Sequence, residues 1–126
     1  MYLEAMQQDS ANFKELLKGT TGPIILRLLH EYGKMYGYEI SQKVKDLSDG
    51  RILVKEGSLY PALHKLEADG LIVAEEVFVG KRVRRYYKLT TPGKKAARAS
   101  VDELVDFLRT IYGLITAEPL RPHAAS

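Results

Sequence analysis

The sequence predicts a mostly α fold with a small β-hairpin, arranged as a winged helix-turn-helix followed by a C-terminal dimerisation helix. Three observations predict it. Apolar residues recur at helical spacing in three short segments before Gly70, two β-rich runs flank Gly80 and Lys81, and a repeat of alternating four- and three-residue spacing starts beyond Thr90. Three helices and then a hairpin is the order of a winged helix.

The elements can be justified in turn. At 126 residues the chain is expected to form one compact unit. Its parts are an N-terminal helical segment over 1–19, a winged helix-turn-helix over 20–90, the dimerisation helix over 91–117 and a flexible tail over 118–126. Leu3, Met6, Phe13, Leu16 and Leu17 mark an amphipathic N-terminal helix ending near Gly19. Thr20 or Thr21 opens the next helix, with Pro23 in its first turn and Ile24, Ile25, Leu28, Leu29 and Tyr32 facing inward. A turn over Gly33 to Gly37 leads to a helix from about Tyr38 to Leu47, buried through Ile40, Val44 and Leu47. Tyr32, Tyr36 and Tyr38 lie around this corner and are expected to pack in the core rather than to form a ligand cage.

The segment from Glu56 to Ile72 reads as the next helix. Leu59, Leu63 and Leu66 form a narrow apolar stripe with Ala62 beside it, and Ser58, Pro61, His64, Lys65 and Ala68 fall on the opposite face with Tyr60 at its rim. Ser58 is the expected N-cap, which would place Pro61 in the first turn, and Gly70 is the expected left-handed stop. The outer face is short, polar and free of acid, a shape that a DNA major groove admits. An ordinary amphipathic surface helix would share these features.

The hairpin sharpens the reading. Leu71 to Val79 and Arg82 to Leu89 are joined by Gly80 and Lys81, which suits a two-residue type II′ turn. That register sets Val79 opposite Arg82, Val77 opposite Arg84 and Glu76 opposite Arg85. Arg85 then has a cross-strand carboxylate, whereas Arg82 and Arg84 have none and share a face with Tyr86 and Lys88. These two, with Lys81 at the tip, are the better candidates for phosphate or for a narrow minor groove.

The last helix opens near Thr90 or Thr91, with Pro92 just inside it, and runs to about Thr116. Ala97, Val101, Leu104, Leu108, Ile111 and Ile115 form a coiled-coil seam, flanked by Val105, Phe107, Tyr112 and Leu114. A face this wide predicts packing against both the N-terminal helix and a second copy, with Val101, Leu104, Leu108, Ile111 and Ile115 at the dimer interface. The alternative is that the helix folds back on its own domain.

Charge distribution says more than the net value of +3. Between Val77 and Ser100 there is no acid, while Lys81, Arg82, Arg84, Arg85, Lys88, Lys94, Lys95 and Arg98 all fall there. Such a stretch favours a polyanionic partner, nucleic acid or an anionic lipid surface. Lys94 and Lys95 stand at the positive end of a helix dipole, where phosphate or plain solvent exposure would account for them. The chain has no cysteine, no run approaching a transmembrane span and no signal peptide, so a cytoplasmic protein with no membrane association is expected. No catalytic motif, metal-ligand spacing or cofactor loop is present; His30, His64 and His123 lie in unrelated contexts, and neither enzyme activity nor a cofactor is expected.

Three motifs in order, YGYEI at Tyr36 to Ile40, GSLYPALHKLEADGLI at Gly57 to Ile72 and RRYYKLTTPG at Arg84 to Gly93, resemble the PadR family of bacterial transcriptional regulators. The resemblance runs from about Leu16 to Gly93, and the single helix beyond is similar to the family's short-tailed branch. It implies a homodimeric winged-helix repressor that binds a double-stranded DNA operator. The family's recognition motif falls on Ser58, Tyr60, Pro61 and Lys65, and its wing on Lys81 to Arg85. Tyr60, His64 and Lys65 are then expected in the major groove, Ser58 and the wing residues Lys81, Arg82, Arg84 and Arg85 on phosphates, and Arg82 or Arg84 in the minor groove. It also implies release by a small apolar or aromatic effector near the dimer interface, where Phe107 or Tyr112 would replace the tryptophan this chain lacks. The competing expectation is a winged helix used only for protein contacts.

Overall fold

The computed structural model describes residues 15–116. Beyond a helical turn at Glu15–Leu17, the order is α1 (Thr21–Tyr32), β1 (Met35–Tyr36), α2 (Gly37–Leu47), α3 (Glu56–Ala68), β2 (Ile72–Val79), β3 (Arg82–Leu89) and α4 (Thr91–Ile115). Residues 1–14 of the N-terminal helical segment expected over 1–19, the last residue of the helix expected over 91–117 and the tail expected over 118–126 lie outside the described residues.

One core joins the three short helices to the sheet. Ile25 and Leu29 of α1, Ile40 of α2, Leu59 and Leu63 of α3 and Tyr87 of β3 are buried together. The strands form an antiparallel sheet in the order β1-β3-β2. The hairpin has the expected register, with Val79 opposite Arg82, Val77 opposite Arg84 and Glu76 opposite Arg85. Gly80 has φ of 63° while Lys81 has none of the positive φ that a type I′ turn requires at both positions, as a type II′ turn has. The two-residue strand β1 is an addition. It pairs Met35 with Tyr87 and Tyr36 with Tyr86 inside what reads in sequence as a turn, because two residues are too few to show a period.

Several burial expectations are corrected. Tyr32 and Tyr38 are 46% and 63% exposed, and Tyr36 is half-buried. Cations accompany two of these rings at the surface, Lys43 at 4.4 Å over Tyr32 and Arg84 at 4.4 Å over Tyr36, while Tyr38 stacks on Tyr36. Leu47 is also exposed, at the C-terminal end of α2 where the chain leaves the core, and Leu26 takes a core place in α1 instead.

The start of α3 is corrected too. Its N-cap is Lys55, so Ser58 is the third helical residue and not the cap, and Pro61 is the sixth. Proline there removes the amide that would have bonded the Gly57 carbonyl, so the helix tolerates a missing bond beyond its first turn. The other end is as expected. Gly70 has φ of 75°, its amide donates to Glu67 and the Leu71 amide donates to Leu66, the paired bonds of a Schellman stop.

That stop is welded to the next helix. Thr90 caps α4 by accepting from the Gly93 amide at 3.1 Å, while its hydroxyl donates to the Gly70 carbonyl at 2.7 Å and its own amide donates to the Leu71 carbonyl. Gly93 is required at this joint, because a Cβ there would collide with the Leu71 carbonyl oxygen. Early in α4, Ala97 is buried in the core; farther along, Leu108, Leu114 and Ile115 are exposed. The seam is therefore divided, its first turns closing on the helix's own domain.

Candidate nucleic-acid interface

The outward side of α3 and the hairpin carry the candidate site. Leu59, Leu63 and Leu66 hold α3 on the core, which leaves Tyr60, Pro61, His64, Lys65 and Ala68 exposed. Ser58 is half-buried and turned toward the start of α1. Lys65 makes an i, i+4 ion pair with Asp69 at 3.2 Å but remains mostly exposed, so the pair is weak and the amine can exchange it for another anion. Tyr60 leans toward the beginning of α2. Its hydroxyl lies where a Cβ on Gly37 would come within 2.7 Å, so glycine at the α2 start is what lets the ring settle there.

Gly57 poses the opposite question. It lies in the first turn of α3 with no positive φ, and a Cβ there would meet nothing within 4 Å. Among the described residues nothing calls for glycine at this position; a partner whose surface comes close to the helix start would.

The wing arginines separate into three kinds. Arg82 is exposed, with no ion-pair or ring partner among the described residues, and Lys81 is exposed at the tip. Arg84 is half-buried and lies over Tyr36, which itself stacks on Tyr38 at 6.5 Å and meets Tyr86 edge-on at 5.3 Å. A cleft of about 290 Å³ opens here between α2, α3 and β3, lined among others by Tyr36, Tyr60 and Arg84. Arg84 thus lacks the free side chain expected of it, although a guanidinium resting on a ring keeps its edge available for hydrogen bonds.

Arg85 differs from both. The expected cross-strand partner, Glu76, is 4.0 Å away, and the closer carboxylate is Glu67 in the last turn of α3, at 3.0 Å. A hydrogen bond to Tyr87, and then the charge of Glu67, push the Arg85 pKa above its ordinary value. Sequence reasoning missed Glu67 because the pair spans 18 residues and depends on how α3 packs on the sheet.

Lys94 and Lys95 are exposed on the first turn of α4. Val101, Leu104 and Ile111 are half-buried along that helix, whereas Leu108 and Ile115 are open, as are Phe107 and Tyr112 at 57% and 64% exposure. His30 and His64 are both exposed, and His123 lies outside the described residues. Among the described residues no three His, Asp or Glu side chains gather as metal ligands, and no helix is long and apolar enough to cross a membrane.

The family model for the transcriptional regulator PadR-like family matches residues 25–99, which spans all of this site. The chain belongs to that family. Similar proteins agree with that assignment. The transcriptional regulator Rv3488 of Mycobacterium tuberculosis is 37% identical over 90 residues, covering 70% of this chain and 81% of that protein. The structure of a transcriptional regulator from Clostridium thermocellum superposes with a TM-score of 0.71 at 33% identity, over 78% of this chain and 95% of the other. A PadR family regulator from Eggerthella lenta matches at a TM-score of 0.72 and 26% identity, over 90% of this chain and 96% of the other, so the likeness takes in more than the winged helix. This PadR-like chain is accordingly a transcriptional regulator with a winged-helix fold and a long C-terminal helix.

Proposed function

We propose that this regulator binds a two-fold DNA operator as a homodimer and represses transcription by occupying it. The observation that carries the DNA contact is the pairing of an acid-free outer face on α3 with an exposed cationic hairpin beside it. Tyr60, His64 and Lys65 would read the major groove. Ser58 and the wing, through Lys81, Arg82 and Arg84, would hold phosphates, with Arg82 or Arg84 able to enter the minor groove. Arg85, committed to Glu67, is no longer a leading contact. The open space at Gly57 supports a backbone that approaches phosphate closely.

The homodimer reading rests on α4. Its 25 residues span roughly 37 Å, comparable to the 34 to 36 Å between successive major-groove faces on one side of a duplex, and its distal apolar side chains are uncovered. Release by a small apolar effector completes the proposal. Phe107 and Tyr112 stand beside the face left for the second copy. A largely apolar cleft of about 410 Å³ between the start of α1 and the flank of α3 offers a second place, close to the contact face.

The test is an anisotropy titration of the purified protein on DNA from its own upstream region and on scrambled DNA, across a salt series. Preference for the upstream DNA by about 10³-fold, with log affinity falling by roughly 0.9 per phosphate neutralised, is the expected result. Replacing both Arg82 and Arg84 with alanine should weaken both DNAs and flatten that slope by up to about 1.8. Equal, weak binding to both DNAs, unchanged by the double substitution, would return the winged helix to the class of protein-contact modules.

A further inference from the structure

The geometry points to Glu67 and Arg85 as a clamp that sets the angle between α3 and the wing. Both are positioning residues, and neither touches DNA. The inference rests on the DNA-binding reading above.

Glu67 is placed unfavourably on two counts. A carboxylate in the last turn of a helix faces the negative end of the helix dipole, and a carboxylate on an element that meets DNA adds repulsion toward a polyanion. Arg85 offsets both. It projects from the same side of β3 as Tyr87, which is only 1% exposed, and its guanidinium reaches Glu67 on α3 at 3.0 Å and Glu76 on β2 at 4.0 Å. One planar group therefore joins the end of α3 to both strands of the wing. Solvent reaches about half of the Arg85 side chain and about a quarter of Glu67, so the pair adds little to folding stability. Its effect is geometric. A two-stranded ribbon flexes readily on its own, and a bond to the helix limits where Arg82 and Arg84 can travel relative to the groove-reading face.

The sign of the response separates a clamp from a simple charge. Removing an acid beside DNA strengthens binding to every sequence if only Coulomb forces act. Removing half of a clamp weakens the matched sequence and leaves the unmatched one unharmed. Upstream-region and scrambled DNA are titrated across a salt series with the full-length protein and with Glu67→Gln, Arg85→Gln and the double variant. Glu67→Gln is expected to bind the upstream DNA about tenfold more weakly and the scrambled DNA no more weakly than wild type. Arg85→Gln should leave the salt slope on scrambled DNA unchanged, and the double variant should be no worse than either single change.

Three results would overturn the clamp: Glu67→Gln tightening both DNAs, Arg85→Gln lowering the slope by about 0.9 as a lost phosphate contact would, or the two losses multiplying. A DNA-free readout keeps the two readings apart. Backbone amide order parameters of Lys81, Arg82 and Val83, measured by NMR relaxation without DNA, should drop from about 0.85 toward 0.6 in Glu67→Gln, with an unchanged melting temperature. Unaltered wing order sinks the clamp whatever the DNA does. Loosened wing order in a protein whose wild type shows no DNA preference sinks the operator reading instead.

Discussion

α3 and the distal half of α4 are both amphipathic helices, and they treat their apolar residues in opposite ways. α3 buries Leu59, Leu63 and Leu66 and shows the solvent short or polar side chains. α4 buries Ala97 near its start, then leaves Leu108, Leu114 and Ile115 open. The first surface suits a charged, hydrated partner and the second an apolar one. The difference teaches that a hydrophobic repeat alone does not say whether its partner is in the chain; only the packing of the remaining elements decides that.

The largest effect expected is at the open end of α4. Leu108→Glu together with Ile115→Glu should convert the protein to a monomer in light scattering, without loss of helix content. Operator affinity should fall by about 10²-fold or more as the second half-site becomes a separate binding event. A stable dimer in the double variant would mean that the exposed apolar residues do not mark the interface. The next largest tests the closed end. Gly93→Ala forces a methyl group against the Leu71 carbonyl and should lower unfolding free energy by about 2 to 3 kcal/mol in urea titration.

Thr90→Val removes the α4 cap and the bond to Gly70 while keeping the shape, and should cost about 1 to 2 kcal/mol in the same measurement. Smallest is Gly57→Ala on α3. Its folding stability should stay level or rise by a few tenths of a kcal/mol, since the added methyl meets open space, while operator binding weakens about threefold or more. Stronger binding by this variant would mean that no phosphate comes close to the start of α3.

Much of this architecture was legible because its signals are local. The register of the hairpin follows from Gly80 and Lys81, the Gly70 stop from the need for a left-handed residue, and the opening of α4 from Thr90 and Pro92. What stayed hidden depends on contacts distant in sequence. β1 exists because Met35 and Tyr36 find β3, fifty residues later in the chain. The surface positions of Tyr32 and Tyr38 reflect neighbouring cations and rings that periodicity does not register. Ser58 carries the right chemistry for a cap, but the helix extends back to Glu56 and leaves it inside. In the candidate site the exposure of Tyr60, Pro61, His64, Lys65 and Ala68 on α3 was readable from angular spacing, whereas the half-burial of Ser58, the stacking of Arg84 and the attachment of Arg85 to Glu67 required the chain to be folded first.

The joint at Thr90 also has a mechanical meaning. Two hydrogen bonds from Thr90, to the Gly70 and Leu71 carbonyls, and the close fit of Gly93 against Leu71 tie the end of α3 to the beginning of α4. The long helix is then a lever with its fulcrum beside α3. A tilt of about 5° over its roughly 37 Å moves the far end by about 3 Å. Conversely, in the proposed homodimer a displacement of that size at the far end of each α4, far from any base pair, would turn each α3 by the same few degrees.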